Sequence, residues 1–235
     1  LCRDWSSDVC SSDLLARAAE IGLAGVCTTD HFEKDMFYAG GREDIFDLDS
    51  YFRTIQTVQN YLPRSSPRIL IGVELGYLPH LDPYFADLTT KWPFDCVILS
   101  LHILDGEDPY SGPETYRAGQ KDVYGRYLRR MTRMIDSCPD FDILGHYDYI
   151  ARYGPFADRK LRYGDFAEDF DQLFLALART GKSLEINTRS IIQLQSFGYS
   201  GIDAWPDPAI IRRHLELGGT ISLGSGNYNT TFHAT

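Results

Sequence analysis

The chain has 235 residues, of which 43% are hydrophobic and 24% are charged. That length is enough for one large α/β domain with a full core. The formal net charge of -10 at pH 7 and the isoelectric point near 5.0 argue against a nucleic-acid partner, because an acidic surface repels phosphates. No apolar run approaches the roughly 20 residues of a membrane helix, and the 5 cysteines lack the paired spacing of a disulfide framework. We therefore expect a cytoplasmic protein without a membrane partner.

Residues 1–14 differ in character from the rest of the chain. The segment starts with Leu1 rather than Met and repeats Ser-Ser-Asp without a structural period. It resembles a translated sequencing adapter, and we exclude it from the fold as a non-native segment. The alternative is an ordinary polar tail. We therefore predict a single domain over residues 15–235.

From residue 14 onward, predicted helices and strands alternate along the chain. Apolar residues at helical spacing predict helices at 14–21, 48–62, 82–90, 123–134, 166–177 and 208–217. Short apolar runs predict strands at 23–28, 69–75, 95–101, 142–145, 183–187 and 220–223. Strands that alternate with helices imply parallel pairing and right-handed crossovers.

Local signals predict where the last two helices begin and end. Asp165 with Glu168 resembles a capping box, and Gly181 is expected to end the helix that follows it. Asp207 and Pro208 are typical of a helix start.

Four of the predicted strands end on a side chain that binds metals. In chain order these are Asp30 with His31, then Glu74, His102 and His146. A single histidine after an apolar run is more often a hydrogen-bonded core residue than a ligand. The fourfold pattern favours a metal site, because parallel strands bring their carboxyl ends to one rim. Glu74 also follows an apolar run and so needs a cationic partner.

Five short motifs occur in a defined order along the chain. They are Thr29-Asp30-His31, Gly72-Val73-Glu74, Ser100-Leu101-His102, Gly145-His146-Tyr147-Asp148 and Glu185-Ile186-Asn187. In order and spacing they resemble the polymerase-and-histidinol-phosphatase (PHP) family, and within it the histidinol-phosphate phosphatases. The resemblance covers roughly residues 15–225. It implies a distorted, TIM-like (β/α) barrel of seven strands, up to three metals at its C-terminal rim, and hydrolysis of a phosphomonoester.

The chain departs from the family pattern at both ends. Residues 1–14 stand where the family has a first strand with a His-x-His motif. Gly226 and Tyr228 stand where its closing motif has Asp and His, and His233 lies too far along to substitute. We therefore expect a barrel domain that lacks its first strand and is incomplete at both ends.

The resemblance divides the metal ligands unevenly. It implies that Glu74, His102 and His146 hold one complete metal site and act in catalysis through that metal. A second metal would share Glu74 but lack its other ligands, and a third would keep His31 alone. Imidazole and carboxylate ligands suit zinc, manganese or iron rather than calcium. We expect about one bound metal per chain and weak turnover.

Three loop residues are candidates for binding the substrate. Arg152, Asn187 and Arg189 follow strands that end at the rim, although each arginine is as readily explained as a solvated surface charge. Asp148 is expected to orient a rim group rather than to bind metal.

The expected reaction converts histidinol phosphate and water to histidinol and phosphate, a step of histidine biosynthesis. The partner would be a small phosphorylated metabolite. One alternative is another metal-dependent hydrolase, either a PHP-type phosphoesterase or nuclease acting on nucleotides, or an amidohydrolase-like barrel. The other alternative is a non-catalytic PHP-like protein. A nuclease needs a basic groove, and a chain with a net charge of -10 is not expected to form one. A non-catalytic protein would not need to keep its metal.

Overall fold

The computed structural model describes residues 11–37, 43–138 and 140–225, with the side chains of residues 11–14 left out. Most of the predicted non-native segment therefore lies outside the described residues. The departures at Gly226 and Tyr228, and His233, also lie outside them. The first described helix begins at Ser11, so it includes the end of the 1–14 segment.

The described residues form one sheet of six parallel strands. In chain order the strands are β1 (Gly25–Phe32), β2 (Arg68–Gly76), β3 (Cys96–Ser100), β4 (Ile143–Leu144), β5 (Ser183–Asn187) and β6 (Thr220–Gly224). Their order in the sheet is the same as their order in the chain, and every neighbouring pair is parallel. The predicted parallel α/β fold is confirmed. Within the described ranges the sheet is an open, curled half-barrel with β1 and β6 at its edges, and the seven-stranded closure is not seen.

Helices connect the strands, as the alternating pattern predicts. They are α1 (Ser11–Glu20), α2 (Leu48–Tyr61), α3 (Asp82–Lys91), α4 (Gln120–Ser137), α5 (Tyr149–Tyr153), α6 (Ala167–Thr180), α7 (Thr188–Ser196) and α8 (Pro208–Glu216). The predicted loops after β4 and β5 contain α5 and α7, which the helical periodicity did not reveal. α5 has 5 residues, too few for an apolar face to recur. No helix in the described ranges is long and apolar enough to cross a bilayer.

Two of the three predicted helix signals are confirmed. The carboxylate of Asp207 accepts a hydrogen bond from the amide of Ala209 at the start of α8, and Gly181 ends α6 with a φ of 69°. The predicted capping box at Asp165 is wrong. α6 begins only at Ala167 and has no side-chain cap, because Asp165 ends a separate 3₁₀ turn.

The strands bury one face under the helices and turn the other inward. Val73 and Leu75 on β2 and Leu99 on β3 are fully buried in the main core. Side chains alternate along a strand, so Glu74 points to the opposite, inner face. The register places His31 opposite Glu74 on the neighbouring strand, and the pleat therefore presents both side chains on the inner face.

Helix α6 offers a direct test of this packing. Leu177 is fully buried in the core, whereas Leu175 on the same helix is 47% exposed. We expect Leu177→Ala to lower the free energy of unfolding by about 2–5 kcal/mol and Leu175→Ala by no more than about 0.5 kcal/mol. Urea unfolding followed by circular dichroism measures both. Equal losses in the two variants would contradict the assignment of the buried face.

Candidate metal centre

The strand ends bring the four predicted metal ligands together on the inner face. Nε2 of His146 lies 2.9 Å from Oε1 of Glu74, and Nε2 of His102 lies 3.3 Å from the same oxygen. Nε2 of His31 lies 3.6 Å from Oε2 of Glu74. The predicted convergence of these side chains at the carboxyl ends of the strands is confirmed.

Asp30 does not join this cluster, although we expected it at the same rim. Its register partner is Val73, which belongs to the helix-covered core. Asp30 is therefore on the outer face of β1, where it meets the hydroxyl of Tyr51 and where burial raises the pKa of its carboxyl. A residue at the end of a strand can be predicted to lie at the rim of the sheet, but its position does not tell which face of the sheet its side chain occupies.

The spacing of the inner ligand atoms fits one first-row metal ion. The two Nε2 atoms of His102 and His146 are 3.1 Å apart, and each lies 2.9–3.3 Å from Oε1 of Glu74. Bonds of about 2.0–2.1 Å to a tetrahedral zinc ion would hold ligand atoms roughly 3.3 Å apart. Neutral imidazoles would direct their lone pairs at each other and at a carboxylate. A proton on one ring or a metal between the three atoms removes that conflict, and the ligand types and their spacing fit a metal.

His31 extends this ligand group. One ligand atom each from His31, Glu74 and His102 lies within 4.8 Å of the other two. The described residues thus offer three imidazoles around a single carboxylate.

Glu33 is the residue of this centre that the sequence did not reveal. Its side chain is 1% exposed, and Oε1 lies 2.8 Å from Nδ1 of both His31 and His102. This leaves Nε2 of each ring directed at Glu74. Gly76 makes room for the carboxylate, since a Cβ there would lie 1.9 Å from Oε2 of Glu33. Carboxylates that hold the second nitrogen of a ligand histidine fix the ring's orientation and raise its basicity.

The charges of the cluster depend on one another. Burial opposes ionisation of Glu33, but the nearby His102 and His31 hold the pKa of its carboxyl at about 2. Burial likewise disfavours a charged His102, yet Glu33 and Glu74 raise its pKa to about 10. Burial lowers the pKa of His146 to about 4. The lowered pKa favours the neutral form of His146, in which an imidazole binds a metal, whereas His102 would release a proton on binding one.

Glu185 supports the site from β5. Its carboxylate accepts hydrogen bonds from the amide of His146 at 2.7 Å and from the side chain of Asn187 at 3.1 Å. Burial, followed by the charge of Glu74, raises its pKa to about 7. Asn187 also accepts a hydrogen bond from the amide of Arg189 as the N-cap of α7. The amide of Asn187, predicted to bind substrate, is thus already engaged within the protein.

Arg152 is held beside the cluster by a short chain of hydrogen bonds. Its Nε donates to Oγ of Ser190 at 2.7 Å, and that hydroxyl donates to Asp148 at 2.7 Å. The arginine is 4% exposed. Nη2 lies 3.9 Å from Asp148 and has no hydrogen-bond partner among the described residues. These contacts are the ones that the predicted orienting role of Asp148 requires.

The metal cluster lines a cavity of about 290 Å³. The four cluster residues, Asn187, Arg152 and Arg189 line it. The predicted site residues other than Asp30 and Asp148 therefore meet in one place, and Asp148 reaches it through Ser190 and Arg152.

We expect Glu33→Gln to weaken zinc binding by about 10–100-fold, because the neutral amide no longer holds His31 and His102 with the same charge. A competition titration with a chromogenic chelator measures the affinity. Glu43→Gln is the matched control, since Glu43 pairs with Lys34 and does not line the cavity. Equal affinities for the two variants would show that Glu33 does not organise the ligands.

Comparison with known proteins identifies relatives of the chain. The PHP domain family model matches residues 5–189. The histidinol-phosphatase of Lactococcus lactis subsp. lactis is 32% identical over 169 residues, which are 72% of this chain and 61% of that protein. A probable histidinol-phosphatase of Clostridium acetobutylicum is 28% identical over 212 residues, or 90% of this chain and 77% of that protein.

A solved structure is also similar over most of the chain. It is the Lactococcus lactis histidinol phosphate phosphatase complexed with zinc, L-histidinol and phosphate. The two structures superpose with a TM-score of 0.80 at 26% identity, covering 95% of this chain and 81% of that one. The sequence alignment spans less than two thirds of the length of the Lactococcus relative. The family match begins at residue 5, inside the predicted non-native segment, whose assignment stays a prediction.

Proposed function

This chain belongs to the PHP domain family, and on that premise we propose that it is a metal-dependent phosphatase that hydrolyses histidinol phosphate to histidinol and phosphate. The proposal rests on one observation: Nε2 of His102, Nε2 of His146 and Oε1 of Glu74 lie 2.9–3.3 Å from one another. The substrate is inferred from the names of the Lactococcus and Clostridium relatives.

The donor set supports zinc as the metal, with manganese and iron as alternatives. Two imidazole nitrogens and a carboxylate oxygen are a common set for catalytic zinc, with one position left for water or substrate. When bound, such an ion acts as a Lewis acid toward a phosphoryl oxygen and lowers the pKa of water to near neutrality. Glu74, His102 and His146 would hold it, and His31 would extend the site.

Arg152 supplies the feature that an anionic phosphoryl group needs. A buried guanidinium with an unpaired N–H is costly unless an anion meets it. Nη2 of Arg152 lies 3.9 Å from Asp148 but makes no hydrogen bond within the described residues, and the residue lines the same cavity as the metal cluster. We assign Arg152 to a phosphate oxygen, with Ser190 and Asp148 fixing its position. Arg189 lines the same wall and is our second candidate for phosphate.

The cavity gives little support to a nuclease. Besides its two arginines it is lined by the carboxylates of Glu33, Asp44, Glu74 and Asp108. A groove that follows a nucleic-acid backbone needs an excess of positive charge along its length. A short cavity with both signs of charge suits a small substrate that carries both signs itself.

Removal of the metal tests the reaction. We expect phosphate release from histidinol phosphate, whatever its absolute rate, to fall to background after treatment with a chelator and to return with Zn²⁺ or Mn²⁺. A colorimetric phosphate assay on the full chain measures it. Retention of the rate after complete metal removal, or cleavage of single-stranded DNA without phosphate release from histidinol phosphate, would refute the proposal.

Arg152→Met tests the phosphate contact. We expect a loss of about 10–100-fold in kcat/KM, because a charge-assisted hydrogen bond to phosphate contributes roughly 1.5–3 kcal/mol. Inorganic phosphate should also become a weaker competitive inhibitor. Arg129→Met is the control, since Arg129 is on α4 and pairs with Asp169 away from the cavity. Inhibition by phosphate that is equally strong in both variants would exclude the contact.

A further inference from the structure

The arginine assigned to phosphate belongs to a helix that cannot fix its own position. α5 has 5 residues and no side-chain cap at its start, and so short a helix is not stable without outside contacts. The last four carbonyls of a helix have no partner within it, which leaves almost all the carbonyls of α5 dependent on other segments. Arg152 is in the last turn of α5. The direction of its guanidinium therefore depends on what holds the end of this helix.

Two side chains from outside α5 bind its carbonyls. The hydroxyl of Tyr116 donates to the carbonyl of Ile150 at 3.0 Å, and Nη1 of Arg159 donates to the carbonyl of Arg152 at 3.3 Å. Tyr116 is buried in the core, whereas Arg159 is half-buried on the loop that follows α5. A cation at the C-terminal end of a helix also offsets the partial negative charge there. Arg159 thus fixes the peptide that carries the phosphate-binding side chain.

Arg159 is itself held by two other helices and the loop after one of them. Its guanidinium carbon lies 3.3 Å from the ring centroid of Phe197, which is the C-cap of α7. Its amide donates to the hydroxyl of Tyr199 at 3.0 Å, and its carbonyl accepts from the hydroxyl of Tyr124 on α4 at 2.9 Å. A planar guanidinium can stack on an aromatic ring and still donate from its edge. Arg159 therefore connects the end of α5 to the end of α7.

The helices α5 and α7 also meet beside the metal centre. Nε of Arg152 donates to the hydroxyl of Ser190 in the first turn of α7, and Arg189 in the same turn lines the cavity. The two helices are thus fastened to each other at two places. The outer fastening, formed by Arg159 and Phe197, does not belong to the lining of the cavity. It can be altered without changing any group that faces a substrate.

We propose that Arg159 is a positioning residue for phosphate binding, which holds the end of α5 against the end of α7 and thereby keeps the guanidinium of Arg152 in the cavity. The inference rests on the proposed phosphatase function and on the phosphate contact of Arg152. When Arg159 is removed, the carbonyl of Arg152 loses its partner and the end of α5 is free to turn. Fewer molecules then present Arg152 in the arrangement that binds phosphate.

Phosphate binding tests this role without relying on turnover. Isothermal titration of the zinc-loaded full chain with inorganic phosphate measures the affinity. We expect Arg159→Met to weaken phosphate binding about tenfold, because a hydrogen bond from a charged donor is lost. Phe197→Leu should weaken it about threefold, because the guanidinium loses the ring on which it stacks. The zinc affinity of both variants, measured with a chromogenic chelator, should equal that of the unmodified chain.

A double-mutant cycle separates positioning of Arg152 from a general loss of stability. If Arg159 acts through Arg152, Arg159→Met should have no further effect on phosphate affinity in the Arg152→Met background. Arg179→Met is the control and should bind phosphate normally, since Arg179 pairs with Asp136 on the surface. The proposal is overturned if Arg159→Met binds phosphate normally, if it causes the same loss in both backgrounds, or if it weakens zinc binding to the same extent.

Hydrolysis assays separate this inference from the function on which it rests. Absence of phosphate release from histidinol phosphate, together with non-additive losses of phosphate binding in Arg152→Met and Arg159→Met, would refute the phosphatase and retain the positioning role. Normal hydrolysis by Arg159→Met, with unchanged KM and unchanged phosphate affinity, would refute the positioning role and retain the phosphatase. Unchanged phosphate affinity in Arg152→Met would overturn the positioning role together with the contact through which it acts.

Discussion

The burial of one carboxylate determines the arrangement of the entire rim. Glu74 lies near the carboxyl end of β2 with its side chain 12% exposed, where an ionised carboxylate without partners is strongly disfavoured. Despite that burial, His31, His102 and His146 hold the pKa of the Glu74 carboxyl well below its usual range. Ser100 adds a hydrogen bond of 2.7 Å to Oε1. Each neighbouring strand end therefore carries a group that stabilises the negative charge, and a bound metal would do so more effectively than any of them.

Small residues on the inner face make this arrangement sterically feasible. A Cβ at position 145 would lie 2.1 Å from Oγ of Ser100, and one at position 224 would lie 1.8 Å from Oε1 of Glu185. Gly145 thus lets Ser100 reach Glu74, and Gly224 leaves space for the buried Glu185. At these two positions, the polar side chain of one strand occupies the volume that a side chain on the neighbouring segment would otherwise fill. Glycine at these positions has a packing role, with no need for unusual backbone angles.

The parts of the fold that were predictable depend on local patterns. Apolar runs and helical periodicity are properties of neighbouring residues, so the six strands and six of the eight α-helices of the described ranges could be located. The convergence of Glu74, His102 and His146 also followed, because parallel strands end at the same rim. Asp30 shows the limit of that rule. Side chains alternate between the two faces along a strand, so a shift of one residue decides whether a side chain at the strand's end faces the metal centre or the core.

The contacts that were not predictable join distant segments of the chain. Glu33 follows β1 and has no pattern of its own, and its role appears only when His102 and Gly76 are placed beside it. The short helix α5 positions Tyr149 and Arg152, and its 5 residues cannot show periodicity. Asn187 was correctly placed at the rim, but its hydrogen bonds with Glu185 and α7 depend on the exact register of β5. Tertiary geometry, rather than residue type, decides whether such a polar group faces a ligand or a neighbour.

Net charge and local charge answer different questions about the substrate. The value of -10 for the whole chain describes an average field that disfavours long polyanions. It does not prevent the binding of a single phosphoryl group, because Arg152 and a bound cation would act within a few ångströms, where a distant surface charge is screened by solvent and salt. The same negative field favours a substrate whose other end is positive. The guanidinium of Arg152 and the carboxylate of Asp108 line the same cavity, and such a mixture of charges in a small volume disfavours a long polyanion.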